Sequence, residues 1–306
     1  ACAGGVTPSQ CRGVKLIRVV IRILLAIGAL LYTLGLVINL FDLFTFRKSD
    51  AEILKTVKPS GEFSVMIDTV RYAQGALCYA FAGRPQPGTR DAIFFVHGSP
   101  GALDAFSPFL GDRQLLARAD LIAYDRPGFG QTIPRQEEPS LAEQAAALDA
   151  VIRKIGARRN FLVGHSLGCS IIARYAMDYP ERADGLVMIA APIDPQLEPP
   201  NWWRYLLDFP LVRIAVPRPL AVSNAELLPL KQELDKCLGL WPRIDCPVVL
   251  VHGDRDRLVP LANVDFAERM LRADIPLTTH VLKDEGHFIL WTHVEEIVGM
   301  LLPLLN

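Results

Sequence analysis

The sequence predicts an α/β protein: a mostly parallel central sheet, helices on both of its faces, and one inserted module. Three observations carry that reading. From residue 63 to the C-terminus, short apolar runs alternate with helix-like stretches. Several of these runs are apolar at nearly every position, as strands become when both faces of a sheet are covered. One long Pro-rich stretch, about 192–246, interrupts the alternation. Strands that alternate with helices build parallel sheets, because a parallel pair needs a crossover connection.

The N-terminus follows a different rule. The 306 residues carry a formal charge of −1, which argues against a nucleic-acid partner, since such a partner requires a basic face. Hydrophobic residues make up 51% of the chain without counting glycine, more than a soluble domain usually holds. Much of the excess lies in residues 23–41, ILLAIGALLYTLGLVINLF, 19 positions without a charge. At about 1.5 Å per residue, a helix of that length nearly spans a hydrocarbon core of roughly 30 Å. A buried core helix would carry a polar face, and this run has only Tyr32, Thr33 and Asn39. It is too long for the apolar region of a signal peptide, and no small-x-small cleavage site follows. The expected organisation is therefore a basic segment (1–22), an uncleaved transmembrane anchor (23–41), a juxtamembrane linker (42–62) and a folded domain (63–306). Arg12, Lys15, Arg18 and Arg22 precede the anchor; Arg47, Lys48, Lys55 and Lys58 follow it. The charges before the anchor lie closer to it and are unaccompanied by acids, so the expected orientation places the N-terminus in the cytoplasm and the domain outside it.

Within the domain, FSVMIDTV (63–70) and GALCYAFAG (75–83) read as a hairpin. AIFFVHG (92–98), LIAYD (121–125), NFLVGHS (160–166), LVMIAA (186–191), VVLVHGD (248–254) and THVLKDEGH (279–287) read as further strands. Ser140 and Glu143 have capping-box spacing at the head of a helix running to Ile155, with Gly156 as its stop. LGCSIIARYAMDY (167–179) is a helix that ends before Pro180, and FILWTHVEEIVGMLLPLL (288–305) is a closing helix. The stretch 192–246 is too long for a plain loop and reads as an irregular-to-helical insertion. Its Trp202, Trp203, Tyr205, Leu206, Phe209 and Leu211 either pack on the domain or dip into a membrane interface. Of the six cysteines, Cys2, Cys11, Cys78, Cys169, Cys237 and Cys246, no pair has zinc-ligand spacing. Cys237 and Cys246 are close enough in sequence to bridge in an oxidising compartment; buried free thiols are the alternative.

The chemistry centres on Gly164-His165-Ser166-Leu167-Gly168, which fits G-x-S-x-G between an apolar strand and a helix. A serine at the tip of so tight a turn needs a strained backbone, and side chains two residues either side would collide with the neighbouring strand and helix. Leu167 opens the helix, so its N–H is free to face a developing oxyanion. The serine needs a base, and the base an orienting acid. Among the histidines, His165 adjoins the serine, His97 and His252 end strands, His280 lies in a strand and His293 in a helix. His287, behind Gly286, stands in the loop after the last strand and is the candidate base. Asp256, in GDRDRLVP (253–260), is the candidate acid, with Asp254 and Asp194 as alternatives. FVHGSPG (95–101) offers the Ser99 N–H as a second oxyanion donor.

HGSPG, YDRPGFGQT (124–132), GHSLG, GDRDRLVP and GHF occur in the order found in the α/β-hydrolase superfamily, which residues 63–306 resemble. The resemblance implies a Ser166–Asp256–His287 triad, oxyanion amides at Ser99 and Leu167, and a cap at about 192–246. HGSPG is similar to the loop of epoxide hydrolases and haloalkane dehalogenases, whose nucleophile is aspartate; serine here points to ester chemistry. Proline iminopeptidases and C–C bond hydrolases share such loops with serine, but the acidic, amine-recognising signature of a peptidase is missing. The expectation is a membrane-anchored carboxylesterase or lipase that acts on small-molecule or lipid esters and needs no metal or organic cofactor. An acyltransferase, a C–C hydrolase or an aminopeptidase on the same triad, and a non-catalytic receptor or scaffold, are the alternatives.

Overall fold

Eight strands form one sheet in the order β1-β2-β4-β3-β5-β6-β7-β8. The structure is a computed structural model describing residues 8–57, 62–85, 88–199 and 201–306, with side chains of the first helix described from residue 16 onward. Cys2, Lys58 and the side chains of Cys11, Arg12 and Lys15 therefore lie outside the described residues. The strands are β1 (Ser64–Tyr72), β2 (Gly75–Gly83), β3 (Asp91–Val96), β4 (Ala119–Tyr124), β5 (Asn160–His165), β6 (Gly185–Ile189), β7 (Val248–Gly253) and β8 (Leu277–Leu282). The β1–β2 hairpin is antiparallel and β2 pairs antiparallel with β4; every other pairing is parallel. Side-chain exposure follows position in the sheet. β3, β4, β6 and β7 are buried at every residue, whereas the edge strands β1 and β8 keep partly exposed positions along their length.

The helices, in chain order, are α1 (Pro8–Leu40), α2 (Asp50–Thr56), α3 (Ser107–Leu110), α4 (Arg113–Arg118), α5 (Leu141–Ile155), α6 (Leu167–Asp178), α7 (Trp203–Asp208), α8 (Pro210–Arg213), α9 (Arg218–Leu227), α10 (Leu230–Cys237), α11 (Asn263–Met270), α12 (Ile289–Thr292) and α13 (Val294–Leu301). Two apolar cores flank the sheet. One joins it to α5, α6, α10 and α11, the other to α2, α3, α4, α12 and α13. α5 shows how sequence sets a helix. Leu141, Ala145, Leu148, Ile152 and Ile155 are buried, and their 4-3-4-3 spacing puts them on one face. Gly156 ends the helix in a left-handed conformation, φ 64°. Only half of the expected capping box forms: Ser140 accepts from the Glu143 amide, but the Ser140 amide donates to Glu138 instead.

Three expectations need correction. The last strand ends at Leu282, so residues 283–288 are a connection and His287 is freed from the sheet. The closing helix is broken into α12, α13 and a 3₁₀ turn, Leu302–Leu305. His293 leaves helical geometry between the first two, and Pro303, which has no N–H to donate, sits where the chain tightens. Residues 42–62, expected as a linker, carry α2, which has the complete capping box: Ser49 accepts from Glu52 N and the Glu52 carboxylate accepts from Ser49 N. Ile53 and Val57 are fully buried against the sheet, and Arg47 pairs with buried Asp125 at 2.7 Å. Arg47 thus belongs to the folded body and is no free juxtamembrane charge. In α1, Leu16–Leu40 is long and apolar enough to cross a membrane by length and composition, with mean hydropathy 2.3.

The insertion begins irregularly and from Trp203 on is mostly helical, α7 to α10 and a 3₁₀ turn at Leu238–Arg243. Its two halves differ. Leu230, Leu234, Cys237 and Trp241 enter the core beside α6, while Trp202, Tyr205, Leu206, Phe209 and Leu211 are exposed. Cys78, Cys169, Cys237 and Cys246 are free and buried, so Cys237 and Cys246 are unbridged.

Candidate active site

Ser166 links β5 to α6 at φ 51° and ψ −127°, a left-handed conformation that a residue with a Cβ adopts at a cost of roughly 1–3 kcal/mol. Backbone bonds hold it there. The Ser166 amide donates to Ile189 O at 2.9 Å, and its carbonyl accepts from Cys169 N at 2.8 Å. The flanking glycines answer to close approach. A Cβ on Gly164 would stand 2.6 Å from the Cys169 nitrogen, and one on Gly168 would stand 2.1 Å from the Val96 carbonyl oxygen. Helix and neighbouring strand therefore both close on this turn.

The other two candidate residues arrive from the connections after β7 and β8. Asp256 Oδ2 lies 2.7 Å from His287 Nδ1. Asp256 Oδ1 accepts from the amides of Leu258 and Val259 at 2.8 and 2.9 Å. Burial works to raise the Asp256 pKa, but the hydrogen bond from His287 and those two amides outweigh it and hold the carboxyl below its ordinary value. An ionised Asp256 makes Nδ1 the donor, which leaves Nε2 with a lone pair for a proton. His165 donates from Nε2 to the His287 carbonyl at 3.1 Å, its ring 5.0 Å from that of His287. The three candidates thus converge on one end of the sheet. Among the described residues, no hydrogen bond is made by the Ser166 hydroxyl; catalytic contacts in unliganded enzymes are often open and tighten around substrate.

Gly98 lies against the elbow: a Cβ there would be 3.0 Å from Ser166 Cβ. The amides of Ser99 and Leu167 donate to no backbone or side-chain acceptor among the described residues. Both are therefore open to a ligand at the elbow.

The remaining candidates have other work. His97 is fully buried, and burial with the nearby Arg126 charge pushes its pKa well down. Its Nε2 accepts from the Arg126 amide at 3.1 Å. Burial lowers the pKa of His252, whose Nε2 bonds Val259 O at 3.0 Å. Burial and the adjacent His287 push His165 down to about 4. His280 lies on edge strand β8, and His293 contacts Thr292. Asp194 accepts from the Gln196 amide, and Asp254 is exposed. Sequence reading missed one buried group beneath the 95–101 loop: Arg126, Gln144 and Glu226. Arg126 sits in the quoted YDRPGFGQT motif, but nothing local to Glu226 signals the partnership.

Residues 91–213 match the family model described as alpha/beta hydrolase fold. A protein of Synechocystis sp. assigned as a non-heme chloroperoxidase is 25% identical over 263 residues, covering 72% of this chain and 92% of the relative. A 2-hydroxy-6-oxononadienedioate/2-hydroxy-6-oxononatrienedioate hydrolase of Pseudomonas sp. is 24% identical over 252 residues, covering 70% of this chain and 88% of that one. Among solved structures, a bacterial membrane phospholipase A shares 22% identity with a TM-score of 0.59, covering 95% of this chain and 98% of the other. With the mostly parallel eight-stranded sheet, these show that the chain has the α/β-hydrolase fold.

Proposed function

We propose that the protein is a membrane-anchored serine hydrolase of lipophilic carboxylic esters. The observation that carries the reading is the Asp256–His287 pair, 2.7 Å apart, on loops of which the His287 one bonds His165 beside the elbow serine, with two amides nearby that lack acceptors among the described residues. In the proposed reaction, His287 Nε2 takes the Ser166 proton as Oγ attacks the ester carbonyl. The Ser99 and Leu167 amides hold the oxyanion; losing one such donor typically costs about 10²–10³ in rate. Protonated His287 gives its proton to the leaving alcohol, then activates water to hydrolyse the acyl-enzyme. Asp256 fixes the imidazole tautomer and stabilises the imidazolium.

The membrane part of the reading rests on where α1 meets the body. Asn39 Nδ2 donates to Ile214 O and Val216 O at 2.9 and 2.8 Å, and Asn39 Oδ1 accepts from Arg218 N at 2.9 Å. A Cβ on Gly35 would lie 2.0 Å from Ala215 O. The last turns of the apolar helix therefore dock on the insertion, between the exposed apolar α7–α8 and α9. That sets the cap at the boundary of any bilayer the helix crosses and presents Trp202, Tyr205, Phe209 and Leu211 to lipid. The fold likeness to a membrane phospholipase A covers 95% of this chain, and so reaches beyond residues 63–306; that neighbour's name supports a membrane setting.

A fluorophosphonate probe tests the chemistry. The full-length protein should label, and Ser166→Ala should not; absent or equal labelling overturns the reading. A panel of p-nitrophenyl esters should give kcat/KM rising with chain length. Product analysis with added alcohol separates hydrolysis from acyl transfer. The Pseudomonas relative favours C–C hydrolysis as a second reading; turnover of a vinylogous diketone in preference to esters would select it.

A further inference from the structure

We propose that Glu226, on cap helix α9, is a positioning residue that sets the direction of the Ser99 amide. The inference rests on the reading of that amide as an oxyanion donor. Glu226 and Arg126 are buried at 2% and 0% exposure, and their hydrogen-bonding capacity is filled. Glu226 Oε1 accepts from Arg126 Nη1 at 2.7 Å and Gln144 Nε2 at 2.5 Å; Oε2 accepts from Ser99 Oγ at 2.7 Å and Arg126 Nη2 at 3.1 Å. Arg126 spends its other donors on Gln144 Oε1 at 3.0 Å, His97 O at 2.9 Å and Gly98 O at 3.0 Å. All five guanidinium hydrogens are engaged.

The bond to Gly98 O is the informative one. The Gly98 carbonyl and the Ser99 N–H belong to one planar peptide unit. Holding the carbonyl towards Arg126 turns the N–H to the opposite side. His97 Nδ1 grips the same carbonyl at 2.7 Å. Ser99 is held a second time through its hydroxyl, directly by Glu226. The carboxylate thus fixes the Ser99 residue and, by orienting Arg126, the peptide plane before it. Replacing a buried ion pair by apolar groups is often neutral or stabilising, so stability alone is a weak account of a pair ending on this loop. Because Glu226 comes from the insertion, the oxyanion loop is aligned only when α9 is seated.

The test uses full-length protein, a short soluble ester and a trifluoromethyl ketone inhibitor, which forms the tetrahedral oxyanion. Glu226→Gln should lower kcat roughly 10- to 100-fold, within the cost of losing one donor, with KM nearly unchanged. The inhibitor Ki should rise by the factor that kcat/KM falls. Ser99→Ala keeps the amide but cuts the hydroxyl link, and should lower kcat several-fold. A folded Glu226→Gln protein with wild-type kcat and Ki, altered only in melting temperature, would overturn the proposal. If that variant does not fold, wild-type kcat in Ser99→Ala overturns it instead. Loss of turnover in Ser166→Ala checks the underlying reading separately, so failure of one is distinguishable from failure of the other.

Discussion

The elbow and the outer half of the cap are built on opposite terms. Around Ser166 the backbone is pinned, two glycines stand where a single carbon would strike a neighbour, and the buried charges of Arg126 and Glu226 are fully bonded. Trp202 at the head of α7, Tyr205 on it and Leu211 on α8 are 71, 63 and 63% exposed, with no buried residue in either helix. Close packing fixes geometry to fractions of an ångström, which the proposed acyl transfer needs. A loosely covered apolar surface fixes little, and its large exposed patch marks a site that meets something else.

The largest effects should come from the pinned region. Ser166→Ala should reduce esterase turnover by at least about 10⁴-fold, and Asp256→Asn by about 10³–10⁴-fold, both measured as kcat on a soluble ester with the fold checked by circular dichroism. Gly168→Ala should destabilise by about 3 kcal/mol or more, because its methyl would meet the Val96 carbonyl, which belongs to the sheet and has no room to move. Gly239→Ala, with nothing within 4 Å of the added carbon, should be neutral or stabilise by up to about 1 kcal/mol. Urea melts of the two variants measure the contrast; equal losses would break it.

Acid should loosen the pinned region next. With its pKa lowered to about 4 inside the fold, His165 is neutral when folded and takes up a proton on unfolding. Between about pH 6.5 and 4 the unfolded chain binds more protons, so stability falls as pH falls, by up to about 3 kcal/mol. Urea titrations at pH 7 and 4.5 should show the drop, and His165→Asn should flatten it. The smallest change in stability belongs to the cap. Trp202→Ala with Trp203→Ala should shift unfolding within about 0.5 kcal/mol and leave soluble-ester turnover intact, yet lower turnover of vesicle-embedded esters several-fold. Equal turnover on both substrates would remove the membrane role of that surface.

What the sequence made legible follows from the range of the interactions. The elbow, the strands and α5 were readable because glycine spacing and apolar periodicity act over a few residues. The Asp256 candidate was readable because its loop motif is local, and His287 because few histidines fall on loops. The Arg126–Glu226 pair joins residues 100 positions apart, and no local pattern announces it. α2 was overlooked because its apolar content is short and its burial is supplied by a sheet that begins after it. The break at His293 was hidden by a continuous apolar run, which has the composition of one helix whichever way it turns.

That early helix also decides where the polypeptide can be shortened. A soluble form started at residue 63 would strip Ile53 and Val57 from the sheet, each worth about 1.5–3 kcal/mol of burial, and leave the Asp125 carboxylate without its arginine. The removable leader therefore stops ahead of Arg47, and a secreted version engineered from this chain has to retain some fifteen residues that look expendable on paper.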